Sequence, residues 1–165
     1  MYRNYLWATS RSGWVKKNAK TGGCLFCRIA RGDRSVPAKV IYRDKKVMVI
    51  MNIFPYNIGH LQVIPIRHVV WPYELSGDDY HYFSDMIKKT VLMLKKALNP
   101  KGFNIGFNLG GVLAGGSVLH MHAQIVPRYL KDLGFMEVTA ETKVMPESLD
   151  QTFEKIMKFA DVLKE

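Results

Sequence analysis

The sequence of 165 residues predicts an α+β domain built on an antiparallel sheet. Three observations predict it. The elements run strands, helix, strands, helix. The stretch "LHMHAQIVPR" (Leu119–Arg128) sets Leu119, Met121, Ala123 and Ile125 against His120, His122 and Gln124, the two-residue period of a half-buried strand. The stretch "SGDDYHYFSDMIKKTVLMLKKALNP" repeats apolar residues at helical spacing between clear start and stop signals.

In chain order, residues 1–23 form a basic, aromatic arm with Tyr2, Tyr5, Trp7 and Trp14, and residues 24–165 form one domain. "CLFCRIARG" is expected as a short helical turn closed by Gly32. "KVIYRD" and "KVMVIMN" read as a hairpin turning near Asp44 and Lys45, and "HLQVIPI" reads as a third strand after the loop "FPYNIG". A long helix follows, with Ser76 and Asp79 as a capping box, Phe83, Ile87, Val91 and Leu94 on its buried side, and Asn99-Pro100 as its stop. "GFNIGFN" is the fourth strand, "LGGVLAGGS" a glycine-rich loop and "VLHMHAQIVP" the fifth strand. "PESLDQTFEKIMKFADVLKE" is a C-terminal helix capped by Ser148.

Nearly half the residues are hydrophobic, enough for a core. No apolar run has membrane-spanning length, and the first 20 residues hold no signal-peptide core, so a cytoplasmic protein with no membrane partner is expected. The formal net charge of +10 suits an anionic partner such as a nucleotide or polyphosphate, or serves solubility alone. No nucleic-acid-binding signature accompanies the charge, so nucleic acid is not expected as a partner.

The two cysteines, Cys24 and Cys27, are too few for a disulfide framework. Their C-x-x-C spacing suits a metal or a redox pair, and the preceding "KKNAKTGG" does not supply the strand that a redox pair normally follows. Zinc takes four ligands, so histidines would complete the set. In "GGSVLH", Gly115, Gly116 and Ser117 could bring backbone N–H groups and a hydroxyl to an anion, or form a simple turn. Beside them, His120 and His122 offer imidazoles able to act as base, nucleophile or ligand, or as satisfied surface histidines.

"HMHAQIVPR" resembles the signature of the histidine-triad superfamily, His-x-His-x-His followed by apolar residues, with Gln124 in place of the third His. A Gln there resembles the nucleotidyl-transferring branch, the galactose-1-phosphate uridylyltransferases and dinucleoside tetraphosphate phosphorylases. "MNIFPYNIGHLQVIPIRHV" is similar to the strand–loop–strand of that superfamily, and "GGCLFCRIARGD" to its zinc-binding N-terminus. "LWATSRSGW" and "GFMEVTAETKVMPESLDQTFEKI" resemble segments that flank the core in the diadenosine tetraphosphate phosphorylase-like group.

The resemblance implies a five-stranded antiparallel sheet with helices on one face, in a homodimer with a continuous sheet. It implies His122 as the nucleophile, His60 as its support from the neighbouring strand and Asn52 as a contact to the nucleoside sugar. Asn108, Gly115 and Ser117 match phosphate or leaving-group positions, and Gly116 departs from the Gln of hydrolase members. His68 and His120 would join Cys24 and Cys27 around a structural zinc. Gln124 can donate an N–H to a phosphate oxygen but cannot act as acid or base, which favours transfer to an acceptor such as inorganic phosphate. The implied activity is a nucleotidyl transferase or phosphorylase cleaving dinucleoside polyphosphates through a nucleotidyl-histidine. Two rivals stand beside it: a hydrolase of dinucleoside polyphosphates or adenosine 5′-phosphoramidates, and a non-catalytic nucleotide-binding protein.

Overall fold

A computed structural model describes residues 22–130, 132, 139–140 and 144–165. All but the last two residues of the basic arm lie outside these, as does much of "GFMEVTAETKVM". The described helices are α1 (Leu25–Ala30), α2 (Gly77–Leu98) and α3 (Leu149–Met157), and the strands are β1 (Lys39–Arg43), β2 (Val47–Met51), β3 (Leu61–Pro65), β4 (Gly102–Phe107) and β5 (Ala123–Arg128). The strands form one antiparallel sheet in the order β1-β2-β3-β5-β4.

Every residue of β2 and β3 is buried, because both faces of the sheet are covered. Val47, Val49, Met51, Leu61, Val63, Ala123 and Ile125 join Phe83, Met86, Met93 and Leu94 of α2, together with Ile156 of α3, in the larger core. The alternate residues Met48, Ile50 and Ile64 pack on the opposite face against Phe26 and Ile29 of α1. The two longer helices thus share one face, and the short cysteine-bearing helix covers the other. His60, Gln62 and Gln124 belong to the α1 side by the same two-residue alternation.

The ends of α2 follow from side-chain chemistry. Ser76 Oγ accepts from the Asp79 N–H at 3.2 Å, Asp78 and Asp79 sit in the first turn, and Lys95 and Lys96 in the last. Asn99 closes it in the left-handed conformation at φ 47°. The expected capping box is only half formed, because the Asp79 carboxylate pairs instead with Lys46 Nζ at 2.9 Å. A full box occurs at α3, where Ser148 Oγ accepts from the Gln151 N–H and Gln151 Oε1 from the Ser148 N–H. That helix stops at Met157, and Ala160–Leu163 continue as a 3₁₀ turn. The β1–β2 turn is held by Asp44, whose Oδ1 accepts from the Lys46 and Val47 N–H groups at 2.7 Å each.

The fifth strand starts later than its alternation suggests. The Met121 N–H bonds the Val69 carbonyl at 2.7 Å, so the histidine segment is anchored to the chain beyond β3 before the ladder begins at Ala123. Leu119, expected on the core side, is 56% exposed.

Gly59 delivers the chain into β3 at φ +77°, and a Cβ there would lie 2.4 Å from Leu98 Cδ1 and 3.3 Å from Pro127 Cγ. Gly59→Ala is expected to destabilise the protein by about 1–3 kcal/mol through left-handed strain and this crowding, measured as a lower urea midpoint at unchanged slope.

Candidate active site and metal centre

Two clusters meet around the His120–His122 segment. In the first, a hydrogen-bonded series crosses from the loop before β3 to β5. The Tyr56 backbone N–H donates to His60 Nδ1 at 3.1 Å. A backbone N–H can only donate, so His60 carries its proton on Nε2, which lies 2.7 Å from Gln124 Oε1. Gln62 Nε2 also donates to Gln124 Oε1, at 3.2 Å. The carboxamide is thereby oriented with its NH2 toward His122 Nε2, 3.2 Å away. His122 Nδ1 lies 2.8 Å from the His120 carbonyl, which can only accept. His122 is therefore the Nδ1–H tautomer, with its Nε2 lone pair turned to Gln124.

Ring packing fixes the imidazoles further. His60 stacks on Tyr56 with centroids 5.0 Å apart, and His122 meets Phe26 edge-on at 5.0 Å. His60 and His122 are 0% and 4% exposed, so little of either ring can turn away from these partners.

His122 and Gln124 line a cleft that is partly open to solvent. Leu25, Phe26, Ile29, Ile53 and Phe54 give it apolar walls, while Asn52, Gln62 and Ser117 add polar groups. The apolar walls suit a flat aromatic group, and the polar groups can donate to a phosphate. Asn52 Oδ1 accepts from the Phe54 N–H at 3.0 Å, and its Nδ2 lies 3.4 Å from His60 Nδ1.

The glycine loop divides. Ser117 reaches the cleft wall, whereas Asn108, Gly115 and Gly116 do not line it. The Gly115 and Gly116 N–H groups bond the Val112 and Gly111 carbonyls at 3.1 and 2.9 Å. A Cβ on Gly116 would lie 3.2 Å from the Gly111 carbonyl oxygen and 3.3 Å from Asn108 Cβ. The missing side chain at 116 thus permits close packing of the loop on Asn108.

The second cluster is formed by Cys24, Cys27, His68 and His120, whose ligand atoms lie within 4.8 Å of one another. Cys24 Sγ is 3.3 Å from His120 Nδ1, Cys27 Sγ is 3.3 Å from His68 Nδ1 and 3.7 Å from His120 Nδ1. A tetrahedral edge between sulfur and nitrogen at ordinary zinc bond lengths is about 3.6 Å. His120 Nε2 lies 3.0 Å from the Pro65 carbonyl, so Nε2 carries the proton and Nδ1 keeps its lone pair for a metal. Burial pushes the His120 pKa down to about 4, holding the ring neutral. Burial and the neighbouring Cys24 push the Cys27 thiol up to about 11, a penalty on two adjacent thiolates that a bound cation relieves. The donor set of two sulfurs and two imidazoles fits a closed tetrahedral metal site.

Among the sequence-derived residues, His60, His122 and Gln124 are joined directly, Asn52 and Ser117 share the cleft lined by His122 and Gln124, and the four metal candidates converge. His81, on α2, is exposed. Sequence reasoning missed Phe26 and Gln62. A lone polar residue in the apolar run "HLQVIPI" was the available signal for Gln62.

Comparison with known proteins agrees with this architecture. Residues 33–131 match the model of the HIT domain family, and the chain belongs to that family. An uncharacterised HIT-like protein of Methanocaldococcus jannaschii is 39% identical over 133 residues, covering 81% of this chain and 98% of that protein. AP-4-A phosphorylase of Mycobacterium tuberculosis is 34% identical over 113 residues; the match covers 68% of this chain but 58% of the phosphorylase. Adenosine 5′-monophosphoramidase of Schizosaccharomyces pombe is 28% identical over 133 residues, covering 81% of this chain and 95% of that protein. A zinc-bound histidine triad family protein from Mycobacterium smegmatis superposes with a TM-score of 0.69 at 27% identity, covering 86% of this chain and 96% of that one. The family match and the solved neighbour mark the chain as a protein of HIT fold. No described helix is long and apolar enough to cross a membrane.

Proposed function

We propose that the protein is a nucleotidyl transferase that cleaves dinucleoside polyphosphates by phosphorolysis. The observation that carries this reading is the Nδ1–H tautomer of His122, a residue of the cleft wall whose Nε2 lone pair faces an uncharged amide donor. Nε2 attacks an α-phosphorus, an N–P bond forms, and the P–O bond to the departing polyphosphate breaks. A nucleoside polyphosphate leaves as a stable anion without requiring a proton from the site. The Gln124 N–H, which met the lone pair, then meets a non-bridging phosphoryl oxygen and stabilises its charge. An oxygen of inorganic phosphate attacks the same phosphorus, the N–P bond breaks, and the lone pair returns to Nε2. From diadenosine tetraphosphate the products are ATP and ADP.

His60 orients the Gln124 donor, Asn52 contacts the sugar, and Ser117 forms the phosphate and leaving-group side, while Asn108, Gly115 and Gly116 shape the loop that carries Ser117. The absence of a third imidazole favours this reading over hydrolysis, because Gln124 cannot shuttle a proton to or from water. We assign zinc to Cys24, Cys27, His68 and His120 as a structural ion holding α1 against the sheet; the zinc-bound neighbour from M. smegmatis supports that metal. Residues 24–165 act as one unit, with thiolate ligands suited to a reducing cytoplasm. A homodimer would extend the sheet through β4, an edge strand on which Ile105 is 48% exposed.

Product analysis tests the reaction. Incubation with diadenosine tetraphosphate should give ADP plus ATP only when inorganic phosphate is present. AMP plus ATP without phosphate would establish the hydrolase instead. Gln124→His is expected to raise phosphate-independent hydrolysis relative to phosphorolysis by about tenfold, read from the AMP:ADP ratio.

A further inference from the structure

Gln62 is the polar residue of β3, set among Leu61, Val63 and Ile64, each 0% exposed. It is itself only 8% exposed. A carboxamide buried in such a strand needs a partner to offset its lost hydration. Its partner is the amide that faces the nucleophile. Gln62 and Gln124 are register partners across β3 and β5, and Gln62 Nε2 donates to Gln124 Oε1 at 3.2 Å.

The flanks of Gln124 are unequal. On the β3 side, His60, directly before the strand, and Gln62 within it both donate to Gln124 Oε1. An amide oxygen accepts two hydrogen bonds, so these two donors saturate it. On the β4 side, the register partner is Gly106, and a Cβ placed there would meet nothing within 4 Å. Space therefore lies open on that side for the Gln124 side chain to swing into. Without Gln62, His60 at the oxygen and His122 at the NH2 define an axis about which the carboxamide can still tilt. The Gln62 bond adds a third point and fixes the plane of the carboxamide, and with it the aim of its NH2 at His122 Nε2.

We propose that Gln62 is a positioning residue of the transfer reaction, acting through Gln124 to keep the phosphoryl-oxygen donor in the plane that the reaction requires. This rests on the transferase reading for its kinetic consequence, but not for its structural one. Gln62 makes no bond in the reaction and moves no proton. Its effect belongs to the chemical step, because Gln124 stabilises charge that develops there, and not to the apolar walls that hold the base.

The test compares wild type with Gln62→Met, which retains length in an apolar strand but cannot donate, and Gln62→Glu, whose carboxylate can only accept. Side-chain 15N relaxation of the Gln124 NH2 is recorded without substrate, the resonance being assigned by its loss in Gln124→Met. In both Gln62 variants the Gln124 amide order parameter should fall from a rigid value of about 0.85 to below about 0.6. The rate of His122 nucleotidylation in single turnover should fall about tenfold, as for loss of one hydrogen bond, with KM within about twofold. An unchanged Gln124 order parameter in Gln62→Met would overturn the proposal. So would a nucleotidylation rate within twofold of wild type. If wild-type protein formed no nucleotidyl-His122 from any dinucleoside polyphosphate, the transferase reading would fail, and the relaxation measurement would still decide the role of Gln62. Should Gln62→Glu fail to fold, Gln62→Met alone gives both readouts.

Discussion

His122→Ala is expected to abolish turnover, with a loss of about 10⁴-fold or more in kcat, while the protein stays folded and still binds nucleotide. The expectation follows from geometry. The Nε2 lone pair is the group that the Tyr56-to-His120 series presents to the cleft, and no second imidazole of the series has a lone pair turned that way: His60 Nδ1 accepts from the Tyr56 N–H and its Nε2 proton points at Gln124. The His122 ring fills a small buried site against Phe26, so truncation leaves a cavity costing about 1–3 kcal/mol, less than the stability of most domains. The check has two parts. Mass spectrometry of the acid-sensitive adduct should show a nucleotidyl group on wild type and none on His122→Ala, and equilibrium binding of a non-cleavable nucleotide should change by less than about tenfold. Turnover retained in His122→Ala would remove the covalent mechanism.

Metal removal is the second large effect. α1 is only six residues long, and the buried anchors it brings to the sheet are Phe26 and Ile29. A metal held by Cys24, Cys27, His68 and His120 would tie that helix to the turn after β3 and to the segment before β5. An ion present at about a thousandfold above its Kd stabilises by about 4 kcal/mol, or about 10 °C in Tm for a chain of this size. Chelation, or Cys27→Ser, should therefore lower Tm by about that amount. The effect has a sign with pH. The Cys27 thiol sits near 11 without metal, so binding at neutral pH must release its proton, and affinity should weaken as pH falls. Competition with a chromogenic chelator across pH 6–8 measures this; an affinity that rises toward acid would exclude thiolate ligation. Loss of metal should also reduce nucleotidylation, because Phe26 walls the cleft and packs on His122.

Much of this was legible in the chain. Alternation separates the two faces of β2, β3 and β5, and the helix ends at Ser76, Asn99 and Ser148 are written in local residue types. Motif spacing is local, and the pairing of Cys24 and Cys27 with His68 and His120 came from resemblance; the fold supplies the convergence of groups 41–96 residues apart. What remained hidden depends on contacts between elements. Asp79 has the right position for a capping box, but Lys46 on the neighbouring turn takes its carboxylate, while the same device forms at Ser148 and Gln151, where the reaching side chain carries no charge for a lysine to draw away. The His120–His122 segment has strand periodicity, yet its backbone is claimed by Val69. Gln62 has no meaning in one strand alone and acquires it only opposite Gln124.

The two backbone ends of the histidine–amide series have a consequence for how many forms the resting site can take. Two imidazoles and one carboxamide, taken separately, each have two ways round. The Tyr56 N–H and the His120 carbonyl are part of the main chain and cannot reverse, so a single direction of donation satisfies all the links between them. Turning any one member sets donor against donor or acceptor against acceptor at its neighbours. The resting site is therefore a one-state device: a nucleotide meets it already polarised, and the ordering entropy was spent when the chain folded.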